Sequence, residues 1–71
     1  MNLHDVVALL EDVPAENLKR GQVGTIVEVW ESDIYEVEFS DTRGVTYAMV
    51  SLHADQLMTL YWHPASSKQV A

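Results

Sequence analysis

The sequence predicts a small all-β domain of five strands, and three observations carry that prediction. Val23 to Trp30 (VGTIVEVW) is dense in β-branched residues. Ile34 to Phe39 (IYEVEF) alternates apolar and polar side chains, the mark of a half-buried strand. The polar triplet Glu31-Ser32-Asp33 lies between them as a turn, so the two strands form a hairpin.

Taken in order, the chain supplies the remaining elements. Asp5 to Leu10 (DVVALL) is an apolar run bounded by charge; by length it is a strand or one turn of helix, and Val6 and Val7 favour a strand. Glu11 to Gln22 carries Pro14, Asn17 and Gly21 and reads as a long connection, with room for one helical turn over Ala15 to Leu18. In the central hairpin the loop length sets which side chains share a face. A two-residue loop of Ser32-Asp33 would set Val29 opposite Glu36 and Trp30 opposite Tyr35, mixing apolar and charged residues. A three-residue loop of Glu31-Ser32-Asp33 sets Val29 opposite Tyr35, Val27 opposite Val37 and Thr25 opposite Phe39, and one face becomes almost wholly apolar. The three-residue loop is therefore expected. It turns Trp30 with Ile34, Glu28 with Glu36, and Ile26 with Glu38 to the other face.

Ser40 to Gly44 is a tight connection, with Asp41 suited to open a type I turn and Gly44 to its left-handed position. Val45 to Leu52 (VTYAMVSL) is the next strand. An even loop turns Ala48, Val50 and Leu52 inward, whereas an odd loop or a glycine bulge turns Val45, Tyr47 and Met49 inward; three aliphatics on one face favour the even loop. His53 to Gln56 suits one 3-10 turn. Leu57 to Leu60 is a last short strand extending toward Tyr61 and Trp62. The predicted domain is 1–62, and 63–71 is expected to be a flexible tail. Strand, long loop, three-strand meander, one-turn helix, short strand is the order of a small SH3-like five-stranded barrel. The rival, an open sheet of OB type, needs longer strands and an α-helix.

Composition narrows the function. The 71 residues hold eleven Asp and Glu against four Lys and Arg, a net charge of −7. Phosphate contacts dominate nucleic-acid affinity, so this balance argues against DNA or RNA and suits a basic protein partner. There is no cysteine, hence no disulfide and no thiolate metal site. The N-terminus has a five-residue apolar run, Val6 to Leu10, preceded by His4-Asp5 rather than by basic residues; that is no signal peptide. No apolar run is long enough to cross a bilayer, and a cytoplasmic protein is expected.

No catalytic, cofactor-binding or metal-binding residue emerges. His4, His53 and His63 lack the spacing that places two on one helix face, and a metal needs three or four convergent ligands. Ser32, Ser40 and Ser51 stand in no nucleophile motif, while Glu28, Glu36 and Glu38 look alike and solvated rather than split in pKa. The protein reads as a non-enzyme with no cofactor. Trp30, Ile34, Glu28, Glu36 and Glu38 are the candidate partner-binding residues: a small apolar patch beside an acidic stripe. The bland reading of the same stripe is simple solubility. Monomer or weak homodimer is expected.

Three stretches resemble a known family: DVVALLEDVPAENLKRGQVGTIVEV, then YEVEF, then TYAMVSLHADQL. They are similar to small bacterial proteins, common in cyanobacteria, that form a domain-of-unknown-function family marked by Tyr-Glu-Val-Glu-Phe, which Tyr35 to Phe39 match letter for letter. The resemblance covers about residues 3 to 60 and implies an SH3-like barrel; it implies no catalytic or ligand-binding residue. Gly21 to Val27 (GQVGTIV) is more loosely similar to the KOW element of ribosomal and transcription factors. Two functions are carried forward: a protein-binding module, with an antitoxin-like or immunity-like role as one form of it, and a KOW-like nucleic-acid or ribosome-associated module that needs Lys19, Arg20 and Arg43 to cluster.

Overall fold

The structure is a computed structural model and describes residues 1–61. The expected tail, 63–71, and Trp62 lie outside the described residues. Five strands follow in order: β1 (Val6–Leu9), β2 (Val23–Glu31), β3 (Ile34–Ser40), β4 (Thr46–His53) and β5 (Leu57–Thr59). All five predicted strands are present, with ends moved by at most one residue. The expected 3-10 turn spans Ala54–Gln56, and a second spans Pro14–Glu16 in the long connection. Among the described residues no helix is long and apolar enough to cross a membrane.

The strands form one antiparallel sheet in the order β4-β3-β2-β1-β5. No ladder joins β4 to β5 among the described residues, so the expected barrel closure is corrected to an open five-stranded sheet. The sheet nevertheless shares one core. Val7 and Leu9 of β1, Ile26 of β2, Tyr35, Val37 and Phe39 of β3, Val50 and Leu52 of β4 and Leu57 of β5 form one buried cluster. Leu18 joins it from the connection between β1 and β2. A small hairpin places it there: Val13 and Leu18 exchange backbone hydrogen bonds at 2.9 and 3.1 Å, and Asn17 takes the left-handed conformation (φ 59) between them.

The β2–β3 hairpin differs from the expected one in a specific way. Glu31 pairs with Ile34, so the loop is the two-residue Ser32-Asp33. Trp30 is then an extra, bulged residue, and Val29 faces Tyr35 and Glu28 faces Glu36 as the longer loop had predicted. The expected pair of Trp30 with Ile34 is therefore absent. A second shift at Val27 sets Ile26 opposite Val37 and Thr25 opposite Glu38. This replaces the expected pairs Val27 with Val37, Thr25 with Phe39 and Ile26 with Glu38. The reason is burial. Ile26 and Glu28 would share a face in a regular strand, yet one belongs in the core and the other in water. One extra residue between them satisfies both.

Gly24 of β2 sits close against β3. A Cβ there would lie 2.7 Å from Val37 Cγ1, 2.8 Å from the Glu38 carbonyl oxygen and 3.0 Å from Phe39 Cδ1. The turn from β3 to β4 forms as predicted. The Gly44 N–H donates to the Asp41 carbonyl at 3.0 Å, Gly44 is left-handed (φ 85), and the Asp41 carboxylate accepts from the N–H groups of Arg43 and Val45. Across the ladder Phe39 faces Ala48, Val37 faces Val50 and Tyr35 faces Leu52. The even-loop facing of β4 is the one adopted.

Candidate functional site

Alternation along β3 turns Tyr35, Val37 and Phe39 into the core and leaves Ile34, Glu36 and Glu38 on the opposite, outer face. Neighbouring strands extend that face. On β2 it carries Glu28 opposite Glu36 and Thr25 opposite Glu38. On β4 it carries His53 opposite Ile34, Ser51 opposite Glu36 and Met49 opposite Glu38. The acidic stripe of Glu28, Glu36 and Glu38 is thus assembled across two strands.

Trp30 reaches the stripe by a different route from the one expected. Its bulge frees the side chain from the ladder, and the indole Nε1–H donates to Glu36 Oε1 at 3.0 Å. The Ser51 hydroxyl donates to the same oxygen at 2.7 Å. These two bonds hold the Glu36 carboxyl below its ordinary pKa of 4.5, Ser51 contributing more than Trp30, against a smaller opposing effect of partial burial. Glu38 is tied to β4 by the Thr46 hydroxyl, which donates to its Oε2. Trp30 stays 58% exposed, and its ring lies beside an ionised carboxylate at the surface. Ile34 is only partly buried and faces Glu31 and His53.

Sequence reasoning placed the three glutamates on one face and missed what holds them. Ser51 and Thr46 on β4 are the donors that orient Glu36 and Glu38. Ser51 could have been found: once Ala48, Val50 and Leu52 turn inward, it must turn outward beside β3. Thr46 could not, because a register shift between Phe39 and Ser40 places it opposite Ser40. Tyr47, beside that shift, lies against the Phe39 ring at a centroid distance of 6.3 Å, and its hydroxyl accepts from Gln22 Nε2 at 3.0 Å.

The arrangement is suited to holding cationic groups. Its carboxylates accept hydrogen bonds in fixed positions, and an exposed indole offers a face to a cation. Among the described residues no three His, Asp or Glu converge as a metal-holding group. His4 and His53 are exposed, and His63 lies outside the described residues.

Residues 3–59 match the family described as domain of unknown function DUF4926, and the chain belongs to that family. No curated protein and no solved structure matches the chain.

Proposed function

We propose that this chain is a non-enzymatic protein-binding module, SH3-like in its strand order, whose outer β2–β3–β4 face binds a basic protein. The SH3-like reading is supported by the order β4-β3-β2-β1-β5, by a 3-10 turn linking β4 to β5, and by a single core shared by all five strands. The binding reading rests on one observation above the others. Both donors to Glu36, Ser51 and Trp30, engage Oε1, which leaves Oε2 for a partner while the group stays ionised. A Lys or Arg side chain that pairs with Glu36 has Glu28 and Glu38 within the same stripe and the Trp30 ring beside it. An antitoxin-like or immunity-like role, in which a basic toxin is held on this face, is one form of this function.

The test is a comparison of two variants with equal net charge. In one, Glu28, Glu36 and Glu38 become Gln; in the other, Glu11 and Glu16 become Gln and Asp33 becomes Asn. Exposed ion pairs contribute roughly 0.2–1 kcal/mol each, so losing three weakens binding roughly 3- to 100-fold. The stripe variant is expected to lose the protein that wild type captures, and the control to keep it. Equal loss in both variants, or none in either, overturns the proposal.

A KOW-like role is the second reading, favoured by one contact. Gln22 accepts from the Lys19 N–H and donates to the Tyr47 hydroxyl, so the loop bearing Lys19 and Arg20 meets the start of β4 near the Arg43 turn. Against it, Asp12 accepts from the Arg20 N–H and Asp41 pairs with Arg43 at 3.6 Å, placing acidic groups among the three cations. A salt-dependent shift on RNA titration would favour this reading over the first.

A further inference from the structure

We propose that the outer face of β1 is a docking trough for an amphipathic helix of a partner protein. The helix lays its apolar side on Val6, Ala8, Val23 and Met58 and reaches Glu38 with a basic flank. The inference rests on the reading of the acidic face as a binding surface, and it adds the partner's shape and its second chemistry. It starts where the outer face departs from the usual pattern. An antiparallel sheet with one face in the core turns polar side chains to water on the other. β3 and β4 largely do so, with Glu36 and Glu38 beside Ser51 and His53. β1 and β5 do not. Val7, Leu9 and Leu57 belong to the core, so alternation turns Val6, Ala8 and Met58 outward, and none of the three is polar.

Register brings these residues together. Ala8 pairs with Val23 on β2 and with Met58 on β5, and Val6 pairs with Thr25. Val23 and Met58 are 47% and 48% exposed, whereas Ala8 between them is 8% exposed and stands outside the core cluster. A small residue flanked by two larger ones makes a trough with β1 as its floor. The walls stand two strand spacings apart, about 10 Å, which is the diameter of a helix with its side chains. The four residues of β1 give the trough a length of about 14 Å, matched by about nine helical residues. The backbone of the floor is paired on both sides, with β2 and with β5. An occupant therefore gains side-chain contacts only, which suits a helix rather than an added strand.

Charge selects what the helix carries. No Lys or Arg lies in any of the five strands; Lys19, Arg20 and Arg43 are all in connections. Thr25 pairs with Val6 on one side and with Glu38 on the other. Beyond the β2 wall, one strand spacing or about 5 Å on, stands the Glu38 carboxylate, with Glu36 and Glu28 paired in the next row. Nucleic acid and anionic membrane are repelled by this flank, and a second copy laid face to face brings one acidic surface against another. A helix with Lys or Arg three or four residues from its apolar side chains matches both the trough and the stripe.

The test uses the full chain and a peptide of about fourteen leucines and lysines, segregated on opposite sides of a helix. A second peptide has the same composition with the leucines dispersed. In an NMR titration the amides of Val6, Ala8, Val23, Met58 and Glu38 are expected to shift together, and the dispersed peptide to bind about tenfold more weakly. Val23→Ser combined with Met58→Ser is expected to weaken binding about tenfold, and Glu28→Gln, Glu36→Gln and Glu38→Gln together roughly 3- to 100-fold. The wild-type shifts and the peptide comparison decide the matter even where a variant fails to fold. Loss in the glutamine variant alone overturns this inference and leaves the acidic-face reading standing; loss in the serine variant alone, or in neither, overturns both. Equal binding of the two peptides, or shifts confined to Glu28, Glu36 and Glu38, also overturns the inference. So do shifts at Ala8 and Met58 that follow protein concentration without peptide, which mark a second copy. NOEs from Trp62 or Val70 to Val23 and Met58 in the free chain, which mark its own C-terminal segment, overturn it too.

Discussion

Gly24→Ala separates two physical effects that predict opposite signs. In an ordinary strand, replacing Gly by Ala stabilises by roughly 0.5–1 kcal/mol, because the unfolded chain loses freedom. Here the added Cβ would lie 2.7 Å from Val37 Cγ1 and 2.8 Å from the Glu38 carbonyl oxygen. A side chain can rotate aside, but a backbone oxygen within a β ladder cannot, so β2 and β3 must part. Overpacking of this kind costs about 1–3 kcal/mol. Subtracting the entropic gain leaves a range of about 0–2.5 kcal/mol, and because the Glu38 carbonyl oxygen cannot move aside the expected net loss is about 1–2 kcal/mol, clear of zero. For a domain of this length that lowers the melting temperature by roughly 4–16 °C. Urea unfolding followed by far-UV circular dichroism measures it directly, with a shifted midpoint and an unchanged slope. A variant as stable as wild type, or more stable, would refute the close approach of β2 and β3 on which the bulged register depends.

Other outcomes follow from the same structure. Leu18→Ala is expected to cost about 2–4 kcal/mol in urea unfolding, a core-sized loss from a residue in a connection, because Leu18 is 2% exposed. Gly44→Ala is expected to cost about 1 kcal/mol from backbone strain alone, since φ is +85 and nothing lies within 4 Å of the new Cβ. The depressed pKa of Glu36 means that its stabilisation is present above the ordinary value of 4.5 and is lost as pH falls through the folded-state value. Glu36→Gln should therefore flatten the acid limb of the stability–pH curve below about 4.5 and leave its slope at neutral pH unchanged, as read from unfolding midpoints across a pH series.

Much of the fold could be read in the chain because the alternation is clean where the core is made. Tyr35, Val37 and Phe39 on β3, and Ala48, Val50 and Leu52 on β4, face inward as their spacing implies. The turn at Asp41 and Gly44 was equally legible, since one residue supplies the acceptor and the other the left-handed backbone. The two irregularities on β2 were harder to see because neither is marked by glycine or proline. One trace was present: the regular register left Ile26 on the acidic face opposite Glu38, and an isolated isoleucine among carboxylates signals a slipped strand. Leu18 gave a similar trace, since it and Val13 are the two large aliphatics in a polar connection. The expected closure into a barrel did not follow from element order, because closure depends on how far β4 and β5 approach through space, and no ladder joins them among the described residues. At the candidate site the glutamates were legible from alternation, while the Trp30 contact was not. It exists because a bulge redirects the indole from Ile34 to Glu36.

Side-chain NOEs in a uniformly labelled sample report most directly which side of the sheet holds the carboxylates. Contacts from Ile26 to Val37, and from Tyr35 and Val37 to Leu52 and Val50, are expected, with Glu36 seeing outer-face neighbours such as Glu28, Trp30 and Ser51 and none of the core side chains. Cross-peaks from Val27 rather than Ile26 to Val37, or from Glu36 to the leucines of the interior, would contradict it.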